Sequence, residues 1–424
     1  MRAERTIAIV GGGVSGVLTA YHLVRRAPSA RIVIINPHPA LGLGLAYSTP
    51  SLLHLLNVPA GRMSALPEEP DHFLNWLQSN HDRAATADDF IPRAIFGTYI
   101  QSLVAGDHRL EYLQTTAVDC MVENGAATLQ LADGGTVKAA AVVLALGNFH
   151  PPELSGVFCH SAWNQATYEN LPEDAPVALI GSGLTAIDVF LRLRENGHRG
   201  VIHAISRHGM LPSRHAPYQP LPECIIPRHA PRTTRQLLRL VRKAISDGLP
   251  WRAVIDSLRP RTNEVWLGLP IEEQRRFKRH LQRHWDIVRH RMAPTIADSV
   301  DTELAAGTLK VHRGSLELIE QIEPARVINC TGPNLNYRKV GSPLLNSLFT
   351  QGLSTPGPLG TALATDGNGA LKATNGTYSR VLFHVGPGRQ GNLLEAIAVP
   401  ELREQAAALA VFLAGQFDRE QYAA

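Results

Sequence analysis

Two glycine-rich turns about 170 residues apart constrain this chain more than anything else in it. The first follows Thr6-Ile7-Ala8-Ile9-Val10 and reads Gly11-Gly12-Gly13-Val14-Ser15-Gly16. The second follows Val177-Ala178-Leu179-Ile180 and reads Gly181-Ser182-Gly183-Leu184-Thr185-Ala186. Each lies between an apolar run that reads as a buried strand and a segment with helical periodicity, the context in which G-x-G-x-x-G/A cradles a dinucleotide. Gly11, Gly13 and Gly16 divide the work: a tight turn, close approach of backbone to diphosphate, and close packing of helix on strand. Amides at the helix N-terminus then face the diphosphate, where the helix dipole also favours negative charge. One such turn serves one dinucleotide. Two predict an α/β protein with two Rossmann-like dinucleotide-binding domains, one for FAD and one for NAD(P), hence a flavoenzyme reduced by a nicotinamide nucleotide.

The ends of the second strands refine this reading. After strand Arg31–Ile35 an acid usually accepts the ribose hydroxyls; here the position is Asn36, whose amide can hydrogen-bond the ribose without charge. After strand Val201–Ile205 the chain reads Ser206-Arg207-His208. A carboxylate there would repel a 2′-phosphate, whereas Ser206 and Arg207 suit one, so NADPH is expected ahead of NADH.

The first helix is predicted over Val14–Arg26, stopped by Pro28. Residues 41–77 are loop-rich, with a short helix Asp71–Gln78, and Ile91–Tyr99 leads into another helix. An antiparallel meander follows: Thr115–Val122, Ala127–Leu131 and Thr136–Lys138, joined at Glu123-Asn124-Gly125 and Asp133-Gly134-Gly135. Val142–Leu146 is a buried strand ending at Gly147. From Pro151-Pro152 a linker runs to about Pro176. Helix Leu184–Asn196 follows the second turn. Residues 209–300 break the Rossmann pattern: a Pro-rich run from Pro212 to Pro231 precedes helices Thr233–Asp247, Trp251–Leu258 and Ile271–Met292. Ala325–Pro333 repeats the strand-then-glycine pattern and reads as the return to the first domain. Val381–Pro387 is another strand ending in glycine, at Gly386. Asn392, with Glu395 three residues on, reads as the N-cap of a helix ended or kinked by Pro400, and a last helix, Glu401–Ala414, stops at Gly415. The expected layout is an FAD-binding domain over 1–165, an NAD(P)-binding domain over 166–315 with a helical insertion at about 212–300, and the returning part of the FAD-binding domain over 316–424.

Composition narrows the chemistry. Cys120, Cys159, Cys224 and Cys330 form no C-x-x-C pair and have no zinc-ligand spacing, which argues against a disulfide reductase with a redox cysteine pair beside its flavin. No apolar run approaches the roughly 18 residues of a membrane span, and no secretory segment precedes the first strand, so a cytoplasmic protein without membrane attachment is expected. Net charge is +4, yet Ile225–Thr295 carries sixteen Lys/Arg against six Asp/Glu. That block reads as a solvated helix surface or as a positive wall for NADPH or an anionic substrate. Nucleic-acid binding is not expected, because no nucleic-acid motif or interleaved aromatics accompany the charge. His280 and His284 stand four apart without a carboxylate ligand, and no metal site is expected.

Blocks Gly11–Gly16, Leu41–Thr49, Leu55–Ser64, Pro92–Tyr99, Leu144–Gly147, Ile180–Asp188, Ser206–Pro212, Asn329–Pro333 and Gly386–Arg403 together resemble a bacterial family of FAD/NAD(P)-binding proteins. That family groups flavin-dependent urate hydroxylases with aspartate N-monooxygenases. The resemblance implies that Gly11, Gly13, Ser15 and Gly16 contact FAD, with Gly147 and Gly386 lining its site. It also implies that Gly181, Gly183, Ser206 and Arg207 serve the nicotinamide nucleotide. Asn36, Asn57, Arg62 and Arg93 are further candidates for the cofactor sites, the two arginines near flavin or substrate. The stretch from Val311 to Ile328 is short for the family. The expected activity is a single-component monooxygenase that uses NADPH, O₂ and a small polar or anionic substrate, urate-like or amino-acid-like. A flavin reductase without oxygen insertion and a non-enzymatic interaction protein are the alternatives. Sequence names no catalytic base and no oligomeric state.

Overall fold

The computed structural model describes residues 5–27, 29–229 and 232–422, with the side chains of 418–422 left aside. Pro28 and Pro231 lie outside the described residues; the first helix ends at Arg26. Two compact units divide the chain: Met1–Pro50, Val58–Phe149 and Leu335–Ala424 form the first, Ser51–Asn57 and His150–Asn334 the second.

The first unit is built on a six-stranded sheet. Its order is Ala370–Lys372, Tyr378–His384, Ala141–Leu144, Arg5–Val10, Ala30–Ile35 and Leu110–Leu113. All neighbours are parallel except the Ala370–Lys372 edge, which is antiparallel. A strand presents alternate residues to opposite faces, so a sheet buried on both sides needs continuous apolar runs. Here Ala8, Val10, Val33, Ile35, Val142, Leu144 and Leu382 face one core, together with the predicted meander, Ala117–Glu123, Ala126–Leu131 and Thr136–Ala139. Ile7, Ile9, Ile32, Ile34, Val143 and Phe383 face the other, under helices Val14–Arg26 and Val399–Tyr422. The edge strand Leu110–Leu113 escapes sequence reading because all four residues are only half-buried and one is charged.

The C-terminal helix corrects two expectations. Residues 392–398 are not helical, and Asn392 instead accepts the Thr365 amide at 2.8 Å. Pro400 lies in the first turn of Val399–Tyr422, where its missing N–H costs nothing, so it starts this helix rather than ending one. The helix also runs through Gly415, because Leu413 and Phe417 on either side bury into the sheet core.

The second unit holds a five-stranded parallel sheet of order Leu309–Arg313, Ile202–Ser206, Val177–Ile180, Arg326–Asn329, His160–Ser161. Arg326–Asn329 thus does not return the chain to the first sheet; it pairs with Val177–Ile180, and the first unit resumes at Leu335. Val177, Leu179, Ile202, Leu309 and Ile328 pack with helix Leu184–Glu195, while Ala178, Ile180 and Ile205 face Leu318–Ile322.

Between Ile202–Ser206 and Leu309–Arg313 come helices Thr234–Ser246, Trp251–Ser257, Thr262–Gly268, Ile271–His280, Gln282–Arg289 and Pro294–Ala306. Thr233 caps the first of these, its Oγ1 accepting the Gln236 amide. Ile226, Ile255 and Leu258, with Leu237, Val241, Trp251, Trp285 and Val288, give the insertion a core of its own. Arg291 is fully buried there and forks onto Asp256 at 2.7 and 3.0 Å, with Tyr218 donating to the same carboxylate. The single helix expected over Ile271–Met292 is broken at Leu281. Phe277 packs edge-on against Trp266 on one side of the break, and Met292 ends in the sheet core on the other. One straight helix could not serve both cores.

Candidate functional site

At the first turn Gly11 has φ +110°, donates to Ile35 O at 2.9 Å, and leaves no room for a side chain: a Cβ would fall 2.2 Å from Ala145 O. A Cβ on Gly16 would fall 2.0 Å from Gly11 O, so helix and strand touch backbone to backbone. Gly13 is the N-cap of Val14–Arg26, no side chain caps that helix, and a Cβ on Gly13 would meet only Gly44 within 4 Å. Four N-terminal amides of any helix lack intrahelical acceptors, so an uncapped start beside a glycine suits a phosphate. Buried Asn36 closes the turn. Its Oδ1 accepts the Gly12 amide at 3.1 Å and its Nδ2 donates to His38 O at 2.9 Å, so both amide atoms are engaged within the turn. Gly42 donates to Gly12 O at 2.7 Å, laying the Leu41–Gly44 loop against the turn.

Gly386, φ +101°, abuts buried Ser15: a Cβ there would fall 2.7 Å from Ser15 Oγ. Gly147 has φ +69° and open space within 4 Å of its Cβ position. Ser15, Gly147 and Gly386 therefore belong to the same unit as the first turn, as do Arg62 and Arg93. Arg62 is exposed in the 3₁₀ turn Ala60–Arg62. Arg93 opens helix Arg93–Ser102, the end where a cation opposes the helix dipole, and lies near Tyr47, whose hydroxyl burial pushes up to about 12. Asn57 falls in the second unit instead, its carbonyl meeting His215 Nε2 at 3.1 Å.

The second turn repeats the frame. Gly181 has φ +117°, donates to Ile205 O at 2.8 Å, and a Cβ would fall 2.5 Å from Cys330 O. Cys330 donates to Ile180 O at 2.8 Å just as Ala145 donates to Val10 O at 2.8 Å. Gly183 is the N-cap of Leu184–Glu195, again without a capping side chain. Here hydroxyls close the turn: Ser182 Oγ lies 2.8 Å from Ser206 Oγ and donates to Met210 O at 2.6 Å, and Ser206 Oγ accepts the Gly209 amide. Arg207 is exposed beside them. Two residues unnoticed from sequence join it. Exposed Arg313 pairs in register with Ser206, and Arg283 of the insertion donates to Ser182 O at 3.2 Å. Arg283 was hidden among the charges of the basic block, and Arg313 lies on a strand the sequence reading did not predict.

Other reactive groups are buried and inert. Cys120 and Cys330 are buried free thiols, both pushed up by burial, Cys120 to about 12. His384 is fully buried with neither ring nitrogen bonded, and burial, then Arg389, hold its pKa down to about 3. Among the described residues no cluster of three or more His, Cys, Asp or Glu could hold a metal, and the break at Leu281 puts His280 and His284 on different helices. Among them, too, no helix is long and apolar enough to cross a membrane.

With this geometry in view, residues 8–149 match the family model described as FAD-NAD(P)-binding. The first unit carries an FAD-NAD(P)-binding domain. A curated relative of that chain, the uncharacterized protein YdhS of Escherichia coli K12, is 24% identical over 268 residues. The match covers 51% of this chain, which spans about half (49%) of the relative's length. The fold carrying the FAD-NAD(P)-binding domain is shared with solved flavoenzymes. The ornithine hydroxylase PvdA of Pseudomonas aeruginosa superposes with a TM-score of 0.62 at 15% identity, covering 98% of this chain and all of that one. The bacillithiol disulfide reductase Bdr of Bacillus cereus gives 0.54 at 14% identity over the same shares, 98% and 100%. One fold thus hosts hydroxylation and disulfide reduction, and the choice between them lies in side chains.

Proposed function

We propose that this chain is an FAD-dependent monooxygenase that oxidises NADPH and hydroxylates a small polar or anionic substrate, amino-acid-like or urate-like. The observation that carries the reading is the pair of glycine turns, each at the carboxyl edge of a parallel sheet and each opening a helix that no side chain caps. Gly11, Gly13, Ser15 and Gly16, with Gly147 and Gly386, would hold FAD; Gly181, Gly183, Ser206 and Arg207 would hold NADPH. Bound FAD supplies the redox chemistry: NADPH and O₂ are consumed, one oxygen atom enters the substrate, and the other leaves as water. The chain's own part is to bind, orient and exclude. Backbone amides of the two helix starts take the diphosphates, and Arg207 with Arg313 favours a 2′-phosphate. Arg62 and Arg93 supply positive charge near flavin or substrate. All four cysteines are free, with Cys120 and Cys330 buried, which supports oxygen insertion over disulfide reduction through a redox cysteine pair.

The test mixes FAD-loaded protein with NADPH in air and follows NADPH loss and peroxide, with and without aspartate, ornithine or urate. NADPH loss stimulated several-fold by one substrate, with little peroxide, is the expected result. Substrate-independent loss appearing wholly as peroxide would replace the monooxygenase reading with a flavin reductase.

A further inference from the structure

Arg283 leaves the solvated face of the basic insertion. It stands at the start of Gln282–Arg289, just after the break at Leu281, and the residue is half-buried. Nη2 donates to Ser182 O at 3.2 Å, to Ser182 Oγ at 3.1 Å and to Met210 O. Nη1 lies 3.8 Å from where a Cβ on Gly183 would be, and nothing else comes within 4 Å of that point. The guanidinium therefore sits in the space a glycine keeps open for a phosphate. Every one of its hydrogen-bond partners is a neutral oxygen, and among the described residues no carboxylate is within ion-pair distance. Burial lowers its pKa, with the nearby Asp286 carboxyl opposing that shift. The guanidinium of a half-buried residue without a counter-anion is only partly compensated by neutral oxygens, and a bidentate phosphate contact is its strongest partner.

We propose that Arg283 is a diphosphate ligand of the second turn. On binding of the nicotinamide dinucleotide it exchanges the carbonyl oxygens of Ser182 and Met210 for diphosphate oxygens, which makes the helical insertion part of the nucleotide site. This rests on the second turn being the NADPH site. The far end of the same helix is tied to the segment beyond Met210: Ser213 donates to Ile287 O at 2.8 Å and Met292 to Ser213 O at 2.9 Å. Nucleotide binding is thereby linked to the order of Gln282–Arg289.

The experiment is calorimetric binding to the full FAD-loaded chain with two probes, NADP⁺ and adenosine 2′-monophosphate, the second of which has no diphosphate. Arg283→Gln weakens NADP⁺ about 10- to 100-fold and leaves adenosine 2′-monophosphate within twofold, whereas Arg207→Glu weakens both. Arg283→Lys recovers part of the loss, since it restores charge without the fork. NADP⁺ protects 282–292 from hydrogen exchange in the unsubstituted protein and not in Arg283→Gln. If Arg283→Gln binds NADP⁺ as tightly as the unsubstituted protein, or more tightly, the assignment of Arg283 is overturned and the NADPH reading survives. If the unsubstituted protein binds neither probe, both fall together. A matching melting temperature shows that Arg283→Gln is folded.

Discussion

At the first turn the Gly12 amide is held by a neutral, buried amide, Asn36, with the Leu41–Gly44 loop bonded to Gly12 from outside. At the second, hydroxyls of Ser182 and Ser206 take that place, and a guanidinium rather than a loop covers the glycine. The backbone frames are otherwise alike, down to the φ of Gly11 and Gly181 and the carbonyls of Ala145 and Cys330 beneath them. The contrast separates two tasks. On the proposed function, a cofactor retained through many turnovers suits a turn whose closing side chain, Asn36, is already engaged at both ends. A nucleotide that arrives and leaves in each turnover suits hydroxyls and a cation, whose bonds can be exchanged at small net cost.

The strongest way to break this comparison is to put a methyl group into each frame. In Gly11→Ala and Gly181→Ala the new Cβ meets a backbone carbonyl at 2.2 and 2.5 Å, at a φ that L-residues avoid. Strain and overpacking together cost roughly 2–6 kcal/mol. Gly11→Ala is expected to lose FAD on gel filtration, whereas Gly181→Ala keeps its flavin absorbance and loses NADP⁺ binding. A Gly181→Ala protein stripped of flavin would dissolve the division of labour.

Acid sharpens the contrast next. Burial holds His384 down to about 3 and His22 to about 4 in the first unit; in the second, burial holds His215 to about 4. These pKa values lie below the ordinary 6.5, so the unfolded chain binds more protons between the two values. The stabilisation is complete above about pH 6.5 and is lost as pH falls toward the folded pKa. Each histidine costs about 1.4 kcal/mol per pH unit in that window, so going from pH 6.5 to 5 removes up to about 4 kcal/mol through His384 and His22 and up to about 2 through His215, to which His160, His198 and His203 of the second unit, also held down by burial, add. Calorimetric unfolding at pH 7.5 and pH 5 reads this, and His384→Leu should roughly halve the first unit's slope. An unchanged slope would mean that His384 is not buried neutral.

The smallest effects test how each turn is closed. Asn36→Ala leaves the buried Gly12 amide without an acceptor and costs about 1–3 kcal/mol in urea unfolding. Ser206→Ala removes one exchangeable hydroxyl and costs about 1 kcal/mol. Equal losses would argue that the two closures are not different in kind.

Both turns, the meander and helix Val14–Arg26 were legible because each is a local signal: a glycine at a forbidden φ, a hairpin turn, an apolar stripe. What sequence missed is non-local. Arg326–Asn329 looks like a returning strand of the first sheet because both sheets end a strand at the carbonyl under a glycine turn. Only pairing with Val177–Ile180 tells them apart. Asn392 and Glu395 have the spacing of a capping box, yet the Asn392 side chain is drawn to the Thr365 amide in a different loop. Arg283 sits in a run of basic residues with nothing in its own neighbourhood to mark it. Its role depends on the helix break at Leu281 and on a turn a hundred residues earlier.

The first sheet also sets an order of manufacture. Of its strands Arg5–Val10 is made first, and its neighbour Ala141–Leu144 and the strand beyond, Tyr378–His384, come much later. The helix that covers it reaches Phe417, whose carbonyl accepts Arg5 Nη1 at 2.6 Å. At ribosomal speed that interval is roughly 20–80 s. Through it the second unit, nearly contiguous in sequence, can finish folding while Ile7 and Ile9 wait for their cover. The earliest strand of this sheet is thus the last to be covered.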